Sequence, residues 1–158
     1  IVNMQYITYL SASITSYLGL LIGIILIRIA PEEQKPLQRH LVILRYALLF
    51  LIFLFAAFYY SAKPLFLFIL VAYFLLIIFI EYKLTDMAKK SMIVSGALGA
   101  IFFLSSINHN LFVIESSLIL IYGMPTASLA YKIREKNHYR LLFYNSAFLA
   151  VANLLYFT

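Results

Sequence analysis

The sequence predicts an all-α, polytopic integral membrane protein, with six transmembrane helices arranged as three hairpins joined by short loops. Charge is too scarce to coat a soluble globule, the apolar residues fall into six runs of membrane-spanning length, and the basic residues gather in alternate loops. Of 158 residues, 65% are apolar and 11% charged, against roughly 45–50% and about 25% in an average soluble domain. Six spans of ~20 residues use ~120 positions, which leaves no room for a separate soluble domain. The whole chain, 1–158, reads as one domain with approximate spans 6–30, 41–60, 65–82, 91–107, 111–131 and 141–157.

Residues 1–27 carry no charged side chain, and Arg28 follows the apolar run instead of preceding it. A cleavable signal has basic residues in front of a shorter run, so the first span reads as a retained helix. Pro-Glu-Glu-Gln-Lys-Pro at 31–36 ends it, because proline fixes φ and lacks a donor. Runs 46–62 and 64–80 are free of charge and are separated only by Lys63. As one helix, 46–80 would be ~52 Å long, far beyond the ~30 Å hydrocarbon core. It must fold back at Ser61, Ala62, Lys63 and Pro64 as a tight hairpin. A charged loop at 81–90 precedes span four, Asn108, His109 and Asn110 form a short polar turn before span five, and a charged loop at 132–140 precedes span six.

The first loop holds Arg28, Lys35, Arg39 and Arg45, the third Lys83, Lys89 and Lys90, and the fifth Lys132, Arg134, Lys136 and Arg140; the second holds Lys63 alone and the fourth none. Eleven of the twelve basic residues therefore lie in odd-numbered loops. The positive-inside rule makes those loops cytoplasmic and both termini external, in a multi-pass protein of the cell membrane. This pattern accounts for the net charge of +6 without nucleic acid. The partners it implies are the bilayer and anionic lipid headgroups at the basic loops. Tyrosine supplies the interfacial rings in the absence of tryptophan: Tyr6, Tyr9, Tyr59, Tyr60 and Tyr156 at outer ends, Tyr46, Tyr82, Tyr131, Tyr139 and Tyr144 at inner ends. Tyr17, Tyr73 and Tyr122 fall near mid-depth, where their phenols need partners inside the bundle.

Glu115 is the one acid placed within a span and not at an inner end. Charged groups there are expensive and often mark ion or proton pathways; close to the outer turn, snorkelling or capping is the plainer role. His109 could approach it, which makes Glu115 and His109 the candidate pair for proton coupling. On the same helix, Gly123-Met124-Pro125-Thr126-Ala127-Ser128 interrupts the apolar run, and Pro125 deprives the Ile121 carbonyl of its partner. Glu115, Tyr122 and Thr126 share one face at i, i+7 and i+11, while span six offers Asn145, Ser146 and Asn153. The expected substrate- or ion-binding seam between spans five and six thus comprises Glu115, Tyr122, Pro125, Thr126, Asn145 and Asn153, with a proline kink serving packing alone as the alternative. Gly19 and Gly23 in span one, and Ser91, Ser95 and Gly99 in span four, form small-residue stripes for helix packing, within the chain or in a homo-oligomer. Arg28, Arg45 and Glu81 read as anchors at the inner boundary.

With no cysteine, thiol redox chemistry and thiolate zinc sites are excluded. His40 and His138 share the cytoplasmic side with Glu32, Glu33 and Glu135 but lack the i, i+4 spacing of a helical metal site, and motifs such as HExxH and GxSG are absent. No catalytic residue, metal or cofactor is expected. Three functions remain open: a small transporter or channel using the seam, a non-catalytic scaffold or accessory subunit of a membrane complex, and a lipid-binding or lipid-modifying protein acting at the inner interface through His40, His138, Arg45 and Glu81.

Overall fold

The computed structural model of the chain describes residues 5–60, 64–83, 87–131 and 138–158. Among them the regular structure is entirely helical: α1 (Tyr6–Ile29), a 3-10 turn (Pro31–Glu33), α2 (Gln34–Tyr60), α3 (Pro64–Lys83), α4 (Met87–Ser105), α5 (His109–Ala130), α6 (His138–Asn145) and α7 (Ala147–Tyr156). The expected turn at 61–63 and the loop segments 84–86 and 132–137 lie outside the described residues, as do the side chains of Glu81 and His138. α1, α2 together with its preceding turn, and α5 are long and apolar enough to cross a membrane.

Three boundaries differ from the sequence expectation for physical reasons. α2 starts at Gln34 instead of near 41, because Pro36 falls in its first turn, where a missing N–H breaks no helical bond. The polar turn at 108–110 is shorter than expected, since Asn108 caps α5 by accepting from the backbone N–H groups of Asn110 (3.0 Å) and Leu111 (3.3 Å) and His109 already belongs to the helix. The sixth apolar run is two helices, α6 and α7, interrupted at Ser146. The Ser146 N–H is shared between the carbonyls of Leu142 (2.9 Å) and Phe143 (3.3 Å), and Ser146 in turn accepts from Ala150 at 2.9 Å, so the interruption tightens the backbone without reversing it.

α1, α4, α5 and α6–α7 form a ring in which α1 packs on α5, α5 on α4, α4 on α6–α7, and α6–α7 back on α1. α2 lies outside the ring against α5, and α3 lies outside α2, touching it through Phe53 with Tyr73 and Phe74. Contacts fix the helix directions. Ser16 donates to the Ser116 carbonyl (2.9 Å) and Ser128 Oγ to the Gly23 carbonyl (3.3 Å), so α1 and α5 run parallel. Gln34 reaches the Ser128 carbonyl (2.8 Å) and Arg45 the Tyr122 hydroxyl (3.1 Å), which makes α2 antiparallel to α5. Tyr9 on the Ala152 carbonyl and Tyr17 on the Leu142 carbonyl, both 2.7 Å, set α1 antiparallel to α6–α7. Arg28, Gln34, Lys89, Lys90 and Arg140 consequently share one end of the bundle.

Both small-residue stripes are packed within the chain. A Cβ on Gly19 would run into the Leu120 carbonyl, one on Gly23 into the Met124 carbonyl, and one on Gly123 would lie 2.8 Å from the Leu20 nitrogen. α1 and α5 therefore meet backbone to backbone, a proximity that only residues lacking a Cβ permit. In α4, Ser91 donates to Asn145 Oδ1 at 2.5 Å, and a Cβ on Gly99 would sit 2.7 Å from the Phe148 carbonyl. Aromatic packing fills the far end of the ring, where Tyr9, Phe102 and Phe112 have centroids 4.9–5.9 Å apart.

Tyr9 and Tyr131 are buried, which corrects their assignment as membrane-interface rings. Tyr9 is tied to α7 through its hydroxyl, and Tyr131 accepts from Arg28 Nε at 3.2 Å. Of the mid-depth phenols, Tyr17 and Tyr122 are hydrogen-bonded to α6 and α2; Tyr73 packs its ring on Phe53.

Gly19→Ala is expected to lower stability by about 1–3 kcal/mol, the cost of overpacking a close contact. Gly96→Ala, whose Cβ would meet only a Val151 methyl at 3.8 Å, should be neutral or slightly stabilising. Thermal unfolding of the two variants in detergent micelles checks the contrast.

Candidate functional site

α5 packs against three neighbours, α1, α2 and α4, and buries the side chains of Glu115, Thr126 and Ser128 among them. Glu115 is fully buried, at 0% exposure. Neither of its carboxyl oxygens has a hydrogen-bond partner among the described residues. Leaving a buried polar group unpaired costs about 1–3 kcal/mol, and more when it is charged. From the α2–α5 register, Arg45 beside Tyr122 puts Glu115 about two turns further along α2, level with the fully buried Ile52. His109 is exposed in the first turn of α5 and makes no hydrogen bond to Glu115. Six positions apart on one helix, the two side chains point about a third of a turn away from each other. The structure does not bring this pair together.

The remaining seam residues fall into two groups. Tyr122, Thr126 and Asn145 line a cavity of about 20 Å³ at the centre of the four-helix ring, together with Ser16 and Tyr17 of α1 and Ser95 of α4. α5 thus faces α6 and α7 across a cavity bounded also by α1 and α4, which corrects the expectation of a seam between the fifth and sixth runs alone. About 10–15 Å³ suffices for one water, yet the cavity wall is almost entirely carbon. The hydroxyls have turned away from it: Ser95 donates to the Met92 carbonyl (2.8 Å), while Ser16 and Tyr17 donate to backbone carbonyls of α5 and α6. Asn145 is engaged on both sides, by Ser91 and by its own Nδ2 bond to the Leu141 carbonyl at 2.9 Å. Of the hydroxyl and amide groups that line the cavity, Thr126 Oγ1, in a residue 2% exposed, is buried without a partner among the described residues.

Asn153 stands apart near the other end of α7, where Tyr6 reaches its Oδ1 at 3.5 Å and its Nδ2 bonds the Leu149 carbonyl at 2.8 Å. Pro125 does not break α5. The helix continues to Ala130 with the proline buried near its end, and Gln34 Nε2 reaches the carbonyls of Ser128 (2.8 Å) and Tyr131 (2.9 Å) just beyond.

Arg45, expected as an anchor at the inner boundary, is buried instead. It is 3% exposed, with Nε on the Tyr122 hydroxyl and the guanidinium 5.9 Å from the ring centroid. It lies in phase with the buried stripe Leu48, Leu49, Ile52, Phe53 and Ala56. His40, seven residues before it in the direction of Gln34, is exposed. Among the described residues no group of three His, Cys, Asp or Glu could hold a metal ion. Comparison with protein-family models, curated protein sequences and solved structures finds no match to this chain.

Two substitutions separate the paired from the unpaired groups. Tyr122→Phe strips Arg45 Nε of its acceptor and should cost about 1–3 kcal/mol. Thr126→Val removes an unpartnered hydroxyl at nearly constant shape and should leave stability unchanged or raise it by about 1 kcal/mol. Denaturant unfolding in micelles reads both.

Proposed function

We propose that the chain is a six-span protein of the cell membrane that passes a small solute or ion along α5, with its basic end in the cytoplasm and Tyr6 and Tyr156 at the outer face. Alternating helix directions and the gathering of described basic residues at one end support this topology. So do the large apolar side chains on the outside of the bundle, among them Ile7, Ile29, Phe58, Phe68, Phe79 and Phe143, since patches of that extent are foreign to a water-facing surface.

The observation that carries the functional reading is the unpartnered carboxyl group of Glu115, buried inside a helix apolar enough to span a membrane. Ionisable groups at such places are costly and characteristically serve ion or proton paths. The central cavity is too small for a solute, so the arrangement corresponds to a closed state, which opens by movement of helices around the ring. The close-packed α1–α5 pair is the natural rigid half of that movement, because its backbones already touch. Anionic headgroups at the basic end are the accompanying lipid contacts.

A second reading, a non-transporting subunit of a membrane complex, draws on the small carbon-walled cavity and on α3, which exposes Leu65, Phe68, Ile69, Leu75, Leu76 and Phe79. Liposomes holding the full chain, supplied with proton, sodium and potassium gradients and a panel of labelled small solutes, distinguish the two. The transport reading expects flux that falls roughly tenfold or more, at least about 1.4 kcal/mol in barrier, in Glu115→Gln. Wild-type liposomes silent to every probe, together with a stoichiometric copurifying membrane protein, support the subunit reading.

A further inference from the structure

A carboxyl group buried without a partner invites the question of what occupies it. Hard metal cations collect several oxygen ligands, about six or more for Mg²⁺ and Ca²⁺. Glu115 offers two oxygens, and among the described residues no hydroxyl, amide or backbone donor bonds to either of them. The hydroxyls of the central cavity are not available to complete a shell, because the cavity lining does not include Glu115. A proton differs from every metal ion in needing a single oxygen and no further ligand, and it cancels the charge that burial opposes.

The neighbouring titratable groups leave the carboxyl group to act alone. From α1, Tyr9 and Tyr17 donate their phenolic protons to backbone carbonyls of α7 and α6. From α2, Arg45 is directed at Tyr122, about two turns from Glu115. α4 contributes only Lys89 and Lys90, at the opposite end of the bundle. On α5 itself His109 is exposed and turned away.

From this arrangement we infer that Glu115 is a proton-exchange site, and that the ion coupled to the α5 pathway is H⁺ and not a metal cation. The assignment rests on the transport reading for its purpose, although exchange at Glu115 can be measured without flux. Glu115 lies ~9 Å along α5 from His109, so the short way for the proton is through the outer end of the bundle, and His109 is dispensable.

Infrared difference spectra of wild type minus Glu115→Gln in lipid test this directly. A protonated-carboxyl C=O band is expected that disappears as pH is raised, that neither sodium nor potassium displaces at fixed pH, and that survives in His109→Ala. Loss of the band on adding sodium or potassium at fixed pH overturns the inference in favour of a metal-cation site. A band present at every pH, or at none, overturns it in favour of an inert buried group. Should Glu115→Gln fail to assemble, dicyclohexylcarbodiimide labelling of the wild type, mapped to Glu115 by peptide mass, gives the same readout: labelling that declines with rising pH and is insensitive to sodium is expected, and sodium protection, pH-independent labelling or no labelling overturns the inference. Proton exchange in a protein that carries no flux would overturn the proposed function and the coupling to it, and leave Glu115 as a proton-exchange site.

Discussion

The backbone contact between α1 and α5 governs the rest of the molecule. Where Gly19, Gly23 and Gly123 meet, two helices approach so closely that one added methyl group would collide with main chain. In lipid there is no hydrophobic drive to bring apolar helices together, so such contact relies on dispersion and on polar bonds made at short range. Ser16 and Ser128 make those bonds above and below the crossing. Once α5 is fixed on α1, its remaining sides are committed: one receives α2 through Arg45 and Gln34, another receives α4, and the last faces the central cavity.

The same constraint explains why the polar residues of α5 separate. Tyr122 points at α2 and is paired, Thr126 points into the ring and is unpaired, and Glu115 lies nearer the start of α5 and is unpaired. They share a helix face in the sequence, yet three different helices surround that face. Proximity along one helix therefore did not make a single polar channel. It made one braced position, one small void and one isolated acid.

Much of the architecture could be read directly. The helical composition, the extent of α1 and the close-packing role of the glycines on α1 follow from residue chemistry that acts locally. What could not be read was the direction in which side chains face. α3 is apolar on every side and α5 mixes polar with apolar residues around its circumference, so no apolar stripe marks their buried face, and Arg45 sits in phase with buried residues of a helix whose exposed side is equally apolar. For the same reason Tyr9 resembled an interfacial ring until its partner on α7 was located. Glu115 was identifiable as exceptional from type and position alone; its isolation from His109 depended on helix phase and on packing by α1 and α2.

The order of the ring has a consequence for biosynthesis. Its members are the first, fourth, fifth and sixth apolar runs, and the α2–α3 hairpin is attached outside. α1 emerges with its glycine face uncovered and meets α5 only after some hundred residues have followed it, a separation seen in the Ser16–Ser116 bond. Nothing in α2 or α3 can stand in for that partner. The α1–α5 contact therefore closes late in the order of the chain, when α5 and then α6–α7 are available.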